Sequence, residues 1–139
     1  MDPTQIAVAQ LAITVAEPDA NRQAAADAVA EAAAADARLV VLPELSDSGY
    51  VFDAADPAAE ARGLATPVAD SATLRLWQSL AGRHRLVIVG GFCELGADGR
   101  LYNSAALVDA SGTRAVYRKA HLWDQVKTSF SWSHRWALR

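Results

Sequence analysis

The chain is short of cysteine and histidine, and each shortage excludes something. One Cys in 139 residues rules out an intramolecular disulfide framework. Three His and no accompanying Cys cluster fall short of a structural zinc site, so no metal is expected. No apolar run approaches the ~18 residues of a membrane span. A basic segment followed by an apolar one is also missing from the N-terminus. A chain of this kind is expected in the cytoplasm with no membrane partner. Basic residues are scarce as well: 13 Lys and Arg stand against 16 Asp and Glu, for a net charge of −3. Phosphate backbones need clustered cations, so no nucleic-acid partner is expected. Eight Gly are present, but none forms G-x-x-x-x-G-K-[ST] or G-x-G-x-x-G, which argues against a nucleotide-binding module.

What the chain has in abundance is alanine, 31 residues of it. The 52% hydrophobic content therefore overstates the core, because a methyl group buries little area beside Leu or Phe. Charge is divided unevenly. Residues 1–110 carry 7 basic and 15 acidic side chains, whereas residues 111–139 carry 6 and 1. Trp123, Trp132 and Trp136 also crowd into the last 17 residues, and from Thr128 on neither a strand alternation nor a helix face is legible.

Gln5 to Ile13 is apolar with β-branched residues and predicts a strand buried on both faces. Pro18-Asp19-Ala20-Asn21 predicts a helix start with Asp19 or Asn21 as cap, and the Ala-rich run to Ala37 predicts a helix lying flat on a sheet. Arg38 to Leu42 is the next buried strand, stopped by Pro43. Strand, helix, strand in about forty residues makes a parallel βαβ unit. Ser46 to Pro67 has the composition of a long surface connection, with room for a short helix from Ala58 to Arg62. Leu74, Trp77 and Leu80 set the apolar face of a helix over Ser71 to Arg83. Leu86 to Phe92 reads as a third buried strand. Turns at Ala97-Asp98-Gly99 and at Asp109 to Gly112 predict hairpins into Leu101 to Val108 and Thr113 to Tyr117. The fold class is α/β with a mixed sheet.

Two residues stand out as carriers of chemistry. Glu44 directly follows a buried strand, at the sheet edge where α/β folds bind ligands. Burial there is expected to raise its pKa towards the range of a general base. Lys119 lies in VYRKAHLW, where alternation puts Tyr117, Lys119 and His121 on one face and Arg118 and Ala120 on the other. A Lys turned inwards beside a carboxylate can stabilise an oxyanion. The plain alternatives are a solvated Glu at the start of a loop and a solvated basic pair ending a hairpin. Cys93, at the end of an apolar strand in VIVGGFCE, suits a small buried hydrophobe better than a nucleophile. Gly90-Gly91 suggests a bulge or a close backbone approach.

Taken together, VVLPEL and SGY at residues 40–50, VGGFCE and LYNSAALVD at 89–109, and YRKAHLW at 117–123 resemble the nitrilase, or carbon–nitrogen hydrolase, superfamily. The likeness covers about residues 4–124. It implies the N-terminal part of an α-β-β-α sandwich and hydrolysis of amides, nitriles or N-carbamoyl compounds by a Glu, Lys and Cys triad without a cofactor. On that resemblance Glu44 matches the general base and Lys119 the residue that stabilises the tetrahedral intermediate. A small amide or nitrile is the implied substrate, and the intact family implies homo-oligomers.

The nucleophilic Cys of that family sits some tens of residues beyond the Lys, and Cys93 lies on the wrong side of Lys119 to be that residue. Past the lysine motif, Val126 stands where the family often has an acid, and Trp132-Ser133 where it has Pro-Gly. The expectation is a partial hydrolase domain over residues 1–124. Residues 125–139 then form a divergent tail, and the recognisable fold is expected to be interrupted between about Asp124 and Phe130 by a frameshift, a gene-end error or a premature stop. A chain that keeps the scaffold but is catalytically inactive is the alternative.

Overall fold

The computed structural model describes residues 4–51 and 53–122 and the backbone of 136–138. Strands β1 (Ile6–Val8), β2 (Leu39–Val41) and β3 (Val87–Leu95) run parallel. From β3 onward, β4 (Leu101–Asp109), β5 (Gly112–Arg118) and β6 (Trp136–Leu138) run antiparallel, and the spatial order follows the sequence order. The connections dictate the change of direction. Helix α1 (Pro18–Ala34) crosses from β1 to β2, and α2 (Pro57–Leu64), a 3₁₀ turn (Val68–Asp70) and α3 (Ala72–His84) cross from β2 to β3. Tight turns join β3 to β4 and β4 to β5. The fold is α/β with a mixed sheet, as the sequence predicts.

Local chemistry accounts for the helices. Ser71 caps α3 by accepting the Leu74 N–H at 3.2 Å, and the helix stops where Arg85 takes a left-handed φ of 55°. Its buried face is Leu74, Trp77, Leu80 and Ala81. Asp56 caps α2 through the Ala59 N–H. The cap expected for α1 does not form: Glu17 occupies that position without a side-chain hydrogen bond. Asn21 is buried instead, accepting the Thr14 N–H at 2.8 Å and donating to the carbonyls of Thr14 (2.7 Å) and Asp47 (3.0 Å). A side chain that ties two loops together is not available to its own helix terminus.

Helices α1 and α3 cover one face of the sheet, where Val29, Val40, Trp77, Ile88, Phe92 and Val108 are buried in one cluster. Fully burying a side chain of this size is worth about 1.5–3 kcal/mol. Trp77 packs the far edge of its six-membered ring against β3 because Gly90 has no side chain there: a Cβ at residue 90 would lie 2.5 Å from the ring. The indole Nε1 has no hydrogen-bond partner among the described residues, so packing alone holds it.

Three expectations need correction. The first strand is shorter than Gln5 to Ile13 and is not buried on both faces; it forms the sheet edge, with Ile6 and Val8 60% and 79% exposed. Its chain departs after Ala9 to bind the turn beyond β2, where Ala16 N–H meets Ser48 O at 2.9 Å. The stretch from Ser46 is not all surface. Leu45, Ser46, Asp47 and Ser48 are buried; Ser46 and Asp47 bond to β3, α1 and α3, and Ser48 Oγ donates to Gly49 O. Finally, a strand does occur in the tail: β6 pairs with β5 through Val116 and Ala137. Three residues are too few for alternation to be legible, and pairing with an open strand edge forms them. The interruption expected between Asp124 and Phe130 lies outside the described residues, as does Trp123.

Substitution at two glycines distinguishes close packing from open space. Gly90→Ala is expected to destabilise the chain by about 1–3 kcal/mol, because Trp77 cannot retreat from the core. Gly63→Ala, inside α2 with nothing within 4 Å of the added methyl, is expected to stabilise by up to about 1 kcal/mol. Urea unfolding followed by tryptophan fluorescence measures both.

Candidate active site

The backbone around Glu44 is fixed by β3. Past the end of β2, Leu42 N–H donates to Val89 O at 2.8 Å and Gly91 N–H to Pro43 O at 3.0 Å. Ser46 then donates twice to Gly91 O, from N–H and from Oγ, each at 2.9 Å. Between these bonds Leu45 adopts a left-handed φ of 44° and buries its side chain completely. The turn presses so closely on β3 that a Cβ at Gly91 would lie 2.5 Å from Leu45 N and 2.6 Å from Glu44 Cα. The close backbone approach expected at Gly90-Gly91 is therefore present at Gly91, against the Glu44 turn, while on the other face Gly90 makes room for the Trp77 ring.

Lys119 reaches Glu44 from 75 residues away, Nζ to Oε1 at 2.5 Å, and the two side chains are 36% and 37% exposed. It is the first residue beyond β5, and its N–H donates to Asn103 O at 2.9 Å. The alternation read from VYRKAHLW holds across Arg118 and Lys119, with Lys119 meeting Glu44 while Arg118 turns to the helix-covered face, but β5 ends at Arg118 and the chain bends at Ala120 and His121. Two further side chains complete the constellation. Asn103 Nδ2 on β4 donates to Glu44 Oε1 at 2.6 Å, and Tyr50 Oη donates to Oε2. Sequence reasoning singles out neither, although Tyr50 ends SGY and Asn103 lies inside LYNSAALVD. A polar pair, Asn103-Ser104, within a largely apolar strand is the available signal.

These donors reverse the shift expected for Glu44. Burial pushes its pKa up, but the bonds from Lys119, Tyr50 and Asn103 and the Lys119 charge outweigh it, leaving the carboxyl below the ordinary glutamate value. Glu44 is ionised throughout the neutral range. Tyr50 moves the other way: desolvation and the Glu44 carboxylate hold its phenol protonated.

Cys93 pairs with Asn103 across β3 and β4, so it lies on the same sheet face as the site, but it is fully buried, with Sγ 3.6 Å from Ala61 O of α2. Burial and the charges of Asp47 and Glu94 push the thiol pKa well up, away from thiolate chemistry. Asp47 is buried beside it, accepting the Cys93 N–H at 3.1 Å with Thr73 Oγ1 at 3.5 Å. Among the described residues no group of three His, Cys, Asp or Glu side chains could hold a metal ion, and no helix is long and apolar enough to cross a membrane. A cavity of about 700 Å³ lies on the opposite side of the sheet from Glu44, lined by Leu74, Gln78, Glu94, Val116 and Arg118 among others.

A family model, carbon–nitrogen hydrolase, matches residues 5–134. The chain belongs to the carbon–nitrogen hydrolase family. It is 35% identical over 126 residues to a nitrilase of Pyrococcus abyssi, covering 91% of this chain and 47% of that protein. With an (R)-stereoselective amidase of a Pseudomonas species it shares 36% identity over 98 residues, or 70% of this chain and 33% of that one. Among solved structures, a point mutant of the amidase from Nesterenkonia sp. AN1 superimposes with a TM-score of 0.79 at 22% identity, over 96% of this chain and 51% of that one. That likeness carries the fold. The chain spans between a third and a half of the length of these two curated relatives.

Two outcomes test the electrostatics. The Asp47 pKa is raised from 3.8 to about 6 by burial, so the folded chain holds this proton more tightly than the unfolded chain does. Its contribution to stability is complete below about pH 4 and is lost as the pH rises towards 6, a difference of about 3 kcal/mol. Asp47→Asn, which keeps an acceptor for the Cys93 N–H, is expected to flatten that segment of the stability–pH curve in urea titrations. Separately, Cys93 is expected to resist iodoacetamide at about pH 8 in the native chain and to be alkylated fully in urea, as read by mass spectrometry.

Proposed function

We propose that the protein containing this chain hydrolyses a non-peptide carbon–nitrogen bond in a small amide, nitrile or N-carbamoyl substrate, with Glu44 as general base and Lys119 stabilising the tetrahedral intermediate. The observation that carries this reading is the Lys119–Glu44 bond of 2.5 Å, formed across 75 residues in a half-exposed site. Family membership and the nitrilase and amidase relatives support the reaction class.

The chemistry follows from the charges. A carboxylate that is already ionised can take the proton of an attacking thiol. As negative charge gathers on the substrate oxygen, the Lys119 ammonium turns part of its interaction towards that oxygen. Glu44 then loses some of its hydrogen bonding and becomes more basic when the proton is to be held. Glu44 returns the proton to the departing nitrogen, and water, deprotonated by the same carboxylate, hydrolyses the thioester. Tyr50 and Asn103 hold the carboxylate oxygens in place throughout. The thiol is assigned to a cysteine outside these 139 residues, because the only one present is Cys93 and it is buried. Cytoplasmic location, homo-oligomeric assembly and a hydrolase domain giving way to a divergent tail after residue 124 belong to the same proposal.

The buried thiol also favours a second reading for the 139 residues taken by themselves, a catalytically inactive form of the same scaffold. Ammonia release from a panel of amides and nitriles separates the two. For the whole protein, Glu44→Gln and Lys119→Ala are each expected to lower turnover by about a hundredfold to ten-thousandfold, while Cys93→Ser leaves it nearly unchanged. Turnover that survives Glu44→Gln would remove the carboxylate from the mechanism.

A further inference from the structure

On the helix-covered side of the sheet, behind the site, lies an ion pair that the proposed chemistry does not use. Glu94 on β3 is buried, and its carboxylate receives Arg118 Nε at 3.0 and 3.2 Å, Arg118 Nη2 at 2.5 Å and Ser104 Oγ at 2.6 Å. Arg118 is the last residue of β5, and β4 lies between it and Glu94. Its guanidinium therefore crosses β4, and it does so 3.8 Å above the Tyr102 ring. Tyr102 is anchored in turn by Asp98, Oη to Oδ2 at 2.7 Å.

The registers give this arrangement its meaning. On β4 the gripped residues are Tyr102 and Ser104, and the one between them, Asn103, points the other way to Glu44. On β5 the gripped residue is Arg118, and the next, Lys119, also points to Glu44. We infer that the Glu94–Arg118 pair is a positioning device, a strap across β3, β4 and β5 that fixes from behind the sheet where Asn103 and Lys119 stand in front of it. The strap acts where the ladder runs out, since Lys119 has left β5 and keeps a single backbone bond to Asn103. A bidentate guanidinium has the rigid fork that such a strap needs, and a Lys ammonium does not. Glu94 and Arg118 touch no reacting group. This rests on the reading of Glu44 and Lys119 as a working pair, and the experiment tests the two separately.

The readout is the titration of Glu44 in this chain, followed by NMR with glutamate labelled at the carboxyl carbon and assigned by loss of the signal in Glu44→Gln. Lys119→Met sets the scale: it is expected to move the Glu44 midpoint upward, since burial remains and the largest compensating donor is gone. Arg118→Met and Glu94→Gln, which leave every group touching Glu44 intact, are expected to produce at least half of that rise. If Arg118→Met does not fold, Arg118→Lys replaces it and is expected to give a smaller rise in the same direction. A folded strap variant whose Glu44 titrates as in the parent chain overturns the positioning role. A Lys119→Met variant that leaves Glu44 unmoved overturns the Glu44–Lys119 pair instead, and the strap with it.

Discussion

The turn that carries Glu44 rides against β3 with no room for a side chain between them, and every other contact of the site follows from that approach. Gly91 permits it, and Ser46 and Pro43 lock it with bonds to the Gly91 backbone. The left-handed Leu45 is the conformational cost, of the order of 1–2 kcal/mol, offset by complete burial of its side chain. With the turn held this way, Glu44 points over the sheet towards side chains of β4 and of the residue that follows β5. A methyl group at residue 91 would push the carboxylate away from both.

Two acids three residues apart show how far surroundings decide charge. Glu44 is half-exposed and receives three side-chain donors, one of them cationic, so its carboxylate is favoured. Asp47 is buried and receives no cation among its named partners, so backbone donors only partly offset desolvation and its proton is favoured. The first arrangement suits a group that must be ionised to act. The second suits a structural link, because the Cys93 N–H and the Thr73 hydroxyl satisfy the buried carboxyl between β3 and α3 while desolvation brings its titration up to about pH 6.

Much of the architecture is legible in the sequence because it rests on local patterns. The apolar runs around Val40 and Ile88, the Leu74–Trp77–Leu80 spacing and the turns at Asp98-Gly99 and Gly112 each announce an element within a few residues. Alternation across Arg118 and Lys119 sends the two cations to opposite faces, as the fold has them. The candidate pair Glu44 and Lys119 rests on position and resemblance, and the fold brings it into hydrogen-bond contact. Asn103 and Tyr50 escape such reasoning because one polar residue beside another in a strand, or a Tyr after a Gly, has no pattern to declare it. Burial of Ser46, Asp47 and Ser48 is equally hidden, since composition marks such a stretch as surface until partners on β3 and α1 satisfy it.

Periodicity and connection length suffice for the order and type of the elements from β1 to β5, the parallel opening and antiparallel continuation of the sheet, and the opposite faces taken by Arg118 and Lys119. Both are properties of neighbouring residues and can be read along the chain. The direction of the Glu44 pKa shift, the raised pKa of the buried Asp47 and the grip of Arg118 on Glu94 are of another kind. Each is a balance between desolvation and donors that arrive from strands tens of residues away, and that balance exists only once the strands are side by side.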